Sequence, residues 1–139
     1  LGIKRPISKK AYHPEKKTKL VQGEDEGKCL EFENYWQWNI KTKQCWFSDA
    51  WCKNLGFKPT EIKHHEDTWK SLVHEECISN VWENLTPVID GEKDTYECIY
   101  RLKNKQNEYI WHLDTGNVLE RDDSGKAFLM EGYDIPIAC

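Results

Sequence analysis

The chain has 139 residues, 38% of them hydrophobic and 32% charged, with a formal net charge of −4. That length favours one domain, and the acidic balance argues against a nucleic-acid binder, which would carry a basic face. No apolar run approaches the roughly 18 residues needed to span a membrane, and no signal-peptide core is present.

Residues 1–33 read as a linker or N-terminal arm. Lys4, Arg5, Lys9, Lys10, Lys16, Lys17 and Lys19 form a basic stretch with little periodicity, and Gly23-Glu-Asp-Glu-Gly27 then reverses the sign. The sequence opens on Leu1 rather than Met and stops after Cys139, so it reads as a piece of a longer protein. Residues 34–139 carry the folded domain. Trp36, Trp38 and Ile40 alternate with polar residues, Lys41-Thr-Lys43 makes a turn, and Cys45-Trp-Phe47 opens a second strand. Ser48 or Asp49 can cap a short helix through Trp51 and Leu55, and Gly56 stands where a left-handed helix-ending residue belongs. Two short helical pieces follow, over 57–61 with Thr60 as a cap and over 66–73. Residues 75–89 give one longer helix, with Cys77, Ile78, Val81, Trp82 and Leu85 at helical spacing. Asp90-Gly91 ends it.

Three strands complete the chain. Tyr96, Cys98 and Tyr100 alternate with polar and apolar neighbours, and Asn107 suits a tight turn. Tyr109 to Glu120 is a long strand in which Gly116 is expected to mark a bulge. Arg121-Asp-Asp-Ser-Gly125 makes a hairpin turn before a last strand from Lys126 to Ile135. An isolated hairpin is marginal, so the first two strands are expected to join the last three. The fold class is α+β: a five-stranded antiparallel sheet with short helices and one longer helix on one face.

The seven tryptophans each bring a large apolar area and one N–H that needs a partner. Trp38, Trp46, Trp69, Trp82 and Trp111 either fill the space between sheet and helices or line a pocket for a planar ligand. The six cysteines include no C-x-x-C pair, and a domain of this size folds without staples, so reduced thiols are expected. Cys98 reads as a small core residue. Cys77, at a helix start, reads either as a redox-sensing thiol or as a buried small residue. Glu75, Glu76, Asp122 and Asp123 read as cap and turn residues rather than an acid–base pair. No nucleophile motif, phosphate loop or metal box appears.

Trp36-Gln-Trp-Asn39, Phe47-Ser-Asp-Ala-Trp51, Leu55-Gly-Phe57, Trp69 followed by Val73-His-Glu-Glu76, Tyr100-Arg-Leu102, Tyr109-Ile-Trp111, Asp123-Ser-Gly-Lys126 and Gly132-Tyr-Asp-Ile135 occur in a telling order. Over residues 34–135 this order resembles a PAS domain of the subclass common in bacterial sensor histidine kinases and diguanylate cyclases. The chain departs from that pattern in four places. His74-Glu-Glu-Cys77 stands for His-Pro-Asp-Asp, Ile99 for a Glu, Gln106-Asn107 for Asp-Gly, and Asp134-Ile135-Pro136 for Asp-Ile-Thr. Without the Pro, a rigid helix start is lost, though Glu75 and Glu76 still suit the positive end. Pro136 donates no N–H and disfavours helix at Ile135, so the exit is expected to be stiffer or differently angled.

The resemblance implies a sensory or regulatory module with no catalytic residues, cytoplasmic, homodimeric through the outer sheet face or the basic arm, and linked to a C-terminal effector. It implies a pocket lined by Trp38, Phe47, Leu55, Trp69, Val81, Leu85, Tyr100 and Trp111. Asp134 and Ile135 would form the signal exit, with Asp134 paired to a basic residue. No cofactor is the first expectation; haem, with His64, His65 or His74 as ligand, and flavin stay open, although the reactive-cysteine segment of flavin photosensors is missing. The alternative is a ligand-free dimerisation module.

Overall fold

The computed structural model describes residues 34–137, so the basic arm lies outside the described residues. Its elements are β1 (Tyr35–Asn39), β2 (Gln44–Phe47), α1 (Asp49–Asn54), α2 (Glu66–Leu72), α3 (Ile78–Asp90), β3 (Thr95–Lys103), β4 (Tyr109–Arg121) and β5 (Ala127–Pro136). The strands form one antiparallel sheet in the order β2-β1-β5-β4-β3, with β5 at the centre joining the two hairpins. The expected α+β architecture is what forms, and the helices cover one face.

Local chemistry explains the element ends. The Ser48 hydroxyl accepts the Trp51 N–H and caps α1, an interaction worth about 1 kcal/mol. Gly56 follows with φ +87°, as the sequence predicts. Thr60 caps nothing; the turn at Pro59–Glu61 is 3-10, and the Glu61 carboxylate accepts the Lys58 N–H. The His65 imidazole caps α2 by accepting the Asp67 N–H. The longer helix begins later than its periodicity predicts, because Glu75–Cys77 forms a 3-10 turn and the helix proper starts at Ile78. There the His74 Nδ1 accepts the Glu76 N–H at 3.0 Å, replacing the rigid start a proline would give. α3 ends at Gly91 with φ +100°. Val81, Leu85 and Val88, on one face of α3, are buried against the sheet.

Gly116 marks no bulge. It pairs in register with both Tyr96 and Gly132, and the register slips instead between Val118 and Glu120. The reason for glycine lies on the inner face. The Trp36 indole lies across Gly116 and Gly132, and a Cβ at Gly116 would come within 2.8 Å of that ring. Two adjacent strands thus give up their side chains to seat one aromatic.

The core is continuous from Trp36, Trp38 and Phe47 through Trp51, Leu55, Val81 and Leu85 to Tyr100 and Met130. The four cysteines at 45, 52, 77 and 98 are buried and free, which fits the expected reduced thiols and makes Cys77 a core residue. Among the described residues no helix is long and apolar enough to cross a membrane.

Candidate functional site

Strand alternation brings polar groups to the inner face. On β4, His112 and Asp114 point inward and are 0% and 3% exposed; Asp134 on β5 is 2% exposed. Asp114 and Asp134 stand directly opposite each other in the β4–β5 ladder. The Trp36 indole N–H donates to Asp114 Oδ1 at 2.8 Å, and the Tyr100 hydroxyl donates to Asp114 Oδ2 at 2.9 Å. The Trp51 indole N–H donates to Asp134 Oδ2 at 2.5 Å. Asp134 Oδ1 has no hydrogen-bond partner among the described residues. His112 lies beside the pair; its Nδ1 is 2.9 Å from the Ile110 carbonyl and its Nε2 3.2 Å from the Asn54 amide, which the Nδ1–H tautomer satisfies.

Burial raises Asp114 well above the usual carboxylate range, and the facing Asp134 carboxyl raises it further. Burial also raises Asp134, although bonding to Asp114 and the proximity of His112 pull it partly back. Two carboxylates this close in a dry interior do not both ionise readily. The nearby Cys45 thiol is pushed well up by burial and then by Asp134 and Asp114, so it is no thiolate nucleophile.

Above Asp114 a cavity of about 30 Å³ opens between sheet and helices, lined by Trp36, Trp38, Cys45, Phe47, Glu66, Trp69, Leu85, Tyr96 and Asp114. That volume holds a water or two. Besides Asp114, two wall groups are polar. Glu66, 7% exposed, accepts the Trp38 indole N–H at 3.0 Å and the Lys70 ammonium at 2.8 Å. The Tyr96 hydroxyl, buried, has no hydrogen-bond partner among the described residues; the weakly bonding Cys98 thiol sits two residues on along the same face. An unpartnered buried hydroxyl costs about 1–3 kcal/mol and marks where an added polar atom would be welcome.

Of the predicted lining residues, Trp38, Phe47, Trp69 and Leu85 meet at the cavity. Tyr100 stands just behind it, accepting the Trp69 indole N–H at 2.7 Å. Leu55 and Val81 are buried nearby but do not line it. Trp111 is on the wrong face: it is 38% exposed on the outer side of the sheet, with the Arg101 guanidinium 4.9 Å from its ring. Of the exit pair, Asp134 is buried inward, held by the Trp51 indole and directly opposite Asp114, and no ion pair to a basic residue is found among the described residues. Ile135 is half-buried on the outer face. His64, His65 and His74 do not converge: each uses Nδ1 to accept a backbone N–H, from Phe47, Asp67 and Glu76 respectively. Sequence reasoning missed Trp36 and Trp51 as anchors and Asp114, His112, Glu66 and Tyr96 as the interior polar groups. The alternation of Trp36 with Trp38 was the available signal for the first, and a carboxylate in the middle of a long strand was the signal for Asp114.

A five-stranded antiparallel sheet with helices on one face and an aromatic, partly polar interior is the architecture of a small sensory domain. A family model described as the PAS fold matches residues 44–133, and the chain belongs to that family. Among solved structures, it resembles a sensory box histidine kinase/response regulator from Burkholderia thailandensis, with 21% identity, a TM-score of 0.65, and 75% of this chain and 76% of that one covered. It also resembles the N-terminal domain of a diguanylate cyclase with a PAS/PAC sensor from Marinobacter aquaeolei, with 23% identity, a TM-score of 0.62, and coverage of 73% and 92%. A domain of a putative light and redox sensing histidine kinase from Haloarcula marismortui aligns at 17% identity and a TM-score of 0.62, covering 76% and 89%. No curated protein matches.

Proposed function

We propose that this chain is a non-catalytic, cytoplasmic PAS module that senses a small ligand in its interior and relays a packing change to a C-terminal effector. The observation that carries the reading is the cavity walled by Tyr96, Glu66 and Asp114, with an unpartnered hydroxyl in its wall. The relay runs from that wall through Asp114 to Asp134, next to Ile135 on the central strand, and a ligand that preferred one of two packings would shift their populations. The effector is of the kinase or cyclase type, by analogy with the multidomain proteins whose domains this one resembles. A haem or flavin would demand a far wider interior than about 30 Å³, so the ligand would be one of a few heavy atoms, seated as the walls repack. The test is an absorption spectrum and a native mass spectrum of the purified chain. A bound small mass supports ligand sensing; a Soret or flavin band would replace the small ligand by a cofactor.

A second reading, a homodimerisation module that needs no ligand, draws on the outer sheet face. Ile99, Tyr109 and Trp111 are 51%, 42% and 38% exposed there, and an aromatic beside an arginine is a common interface anchor. Concentration-dependent association with a bare monomer mass would favour it.

A further inference from the structure

We propose that Asp114 and Asp134 form a one-proton carboxyl pair that acts as a proton-operated switch, loosening the tryptophan anchors of β1 and α1 beside the exit strand when the shared proton leaves. The inference goes beyond ligand sensing and does not need the cavity to be filled.

Counting donors leads to it. The pair offers four oxygens, and three of them accept from Trp36, Tyr100 and Trp51. The fourth, Asp134 Oδ1, is buried and has no hydrogen-bond partner among the described residues, and the two residues face each other directly across the β4–β5 ladder. A buried acceptor with no donor is costly, as are two facing unprotonated carboxylates. One proton between them removes both costs, by turning one carboxyl into a donor to the other. Elements packed around the pair supply few counter-charges. β3 presents the Tyr100 and Tyr96 hydroxyls, β2 the Cys45 thiol and α2 the Glu66 carboxylate. Among the described residues, His112 on β4 is the basic group beside it, while α1 and β1 contribute uncharged indoles. The surroundings therefore favour a charge of −1 over −2.

When the proton passes to solvent hydroxide, forming water, the pair carries two negative charges on directly opposed residues of β4 and β5. Repulsion then acts across that ladder. The carboxyl atoms that move are those that hold Trp36, which covers the Gly116–Gly132 seat, and Trp51 of α1. One proton thus addresses two elements together, which a single isolated carboxyl would not do.

The test is a pH titration of the indole N–H resonances of the full chain by ¹H–¹⁵N spectroscopy, from mildly acidic to mildly alkaline pH. The expected result is that Trp36 and Trp51 move together with one midpoint above the ordinary carboxylate range, while exposed Trp111 stays still. In Asp114→Asn the amide supplies a permanent donor, so the Trp51 signal should stay at its low-pH position throughout. Indoles that do not move while the chain is folded, or that move at unrelated midpoints, would overturn the proposal. So would a titration that persists unchanged in Asp114→Asn. Should that variant not fold, Asp134→Asn carries the same test. If neither folds, carboxyl ¹³C spectra of the unaltered chain decide: both signals titrating in the ordinary carboxylate range would end it.

Discussion

The two faces of the sheet are built against expectation. The inner face of β4 and β5 carries His112, Asp114 and Asp134, all buried, while the outer face carries Ile99, Trp111, Leu113 and Ile135, exposed or half-buried. Buried polar groups need partners: the two carboxyls have indoles and a phenol, and His112 has the Ile110 carbonyl and the Asn54 amide. Exposed apolar ones need a cover. The difference teaches that the inside of this domain is organised by hydrogen bonds that reach between elements, while the outer face keeps apolar side chains in solvent.

Breaking an inner anchor should have the largest effect. Trp51→Ala removes a fully buried indole that stacks on Phe47 at 4.1 Å and takes away the donor to Asp134. A loss of about 3–5 kcal/mol is expected, read as a lower urea midpoint. A sharper comparison comes from pH. Above the ordinary carboxylate range the unfolded chain has released both Asp protons, whereas the folded pair, with both groups raised, retains one. The native state then binds more protons, so stability should fall as pH rises through that window, by up to about 1.4 kcal/mol per pH unit for one proton. Glu66 works in the opposite sense and lower down. Burial pulls it up, but bonds from Lys70 and Trp38 prevail and hold it below its usual value, so its contribution is lost only as pH falls into the acid range. Denaturant melts at several pH values check both signs, and Asp114→Asn should flatten the first slope. On the outer face Trp111→Ala should change monomer stability by no more than about 0.5 kcal/mol. If the outer face self-associates, as the second reading holds, the effect appears in sedimentation velocity as weaker association.

Much of the fold was legible because several independent cues agreed. The Trp36–Trp38 alternation, the Ser48 cap, Gly56, Asn107 and the Asp122–Gly125 turn each had a local cause, and each stands where its chemistry places it. The interior was less legible, and Trp111 shows why. Tyr109, Trp111 and Leu113 alternate, so apolar logic turns that row inward; a shift of one residue sends a strand's whole set to the other face. What decided the face was the polar pair between them, His112 and Asp114, whose side-chain partners Asn54, Trp36 and Tyr100 lie 14 to 78 residues away in sequence. Gly116 was misread for a similar reason: its purpose is an indole arriving from β1, not a local kink.

Arg121, at the end of β4, has a consequence for how the domain opens. Its guanidinium donates to the carbonyls of Val88 at 2.9 Å, Gly125 at 3.0 Å and Lys93 at 2.7 Å. The last turn of α3, its link to β3 and the β4–β5 hairpin turn thus share one set of bonds. Loss of the Arg121 side chain would free all three segments at once, so they are expected to form one cooperative unit of local unfolding, and in Arg121→Ala backbone amides in all three should exchange with solvent faster together.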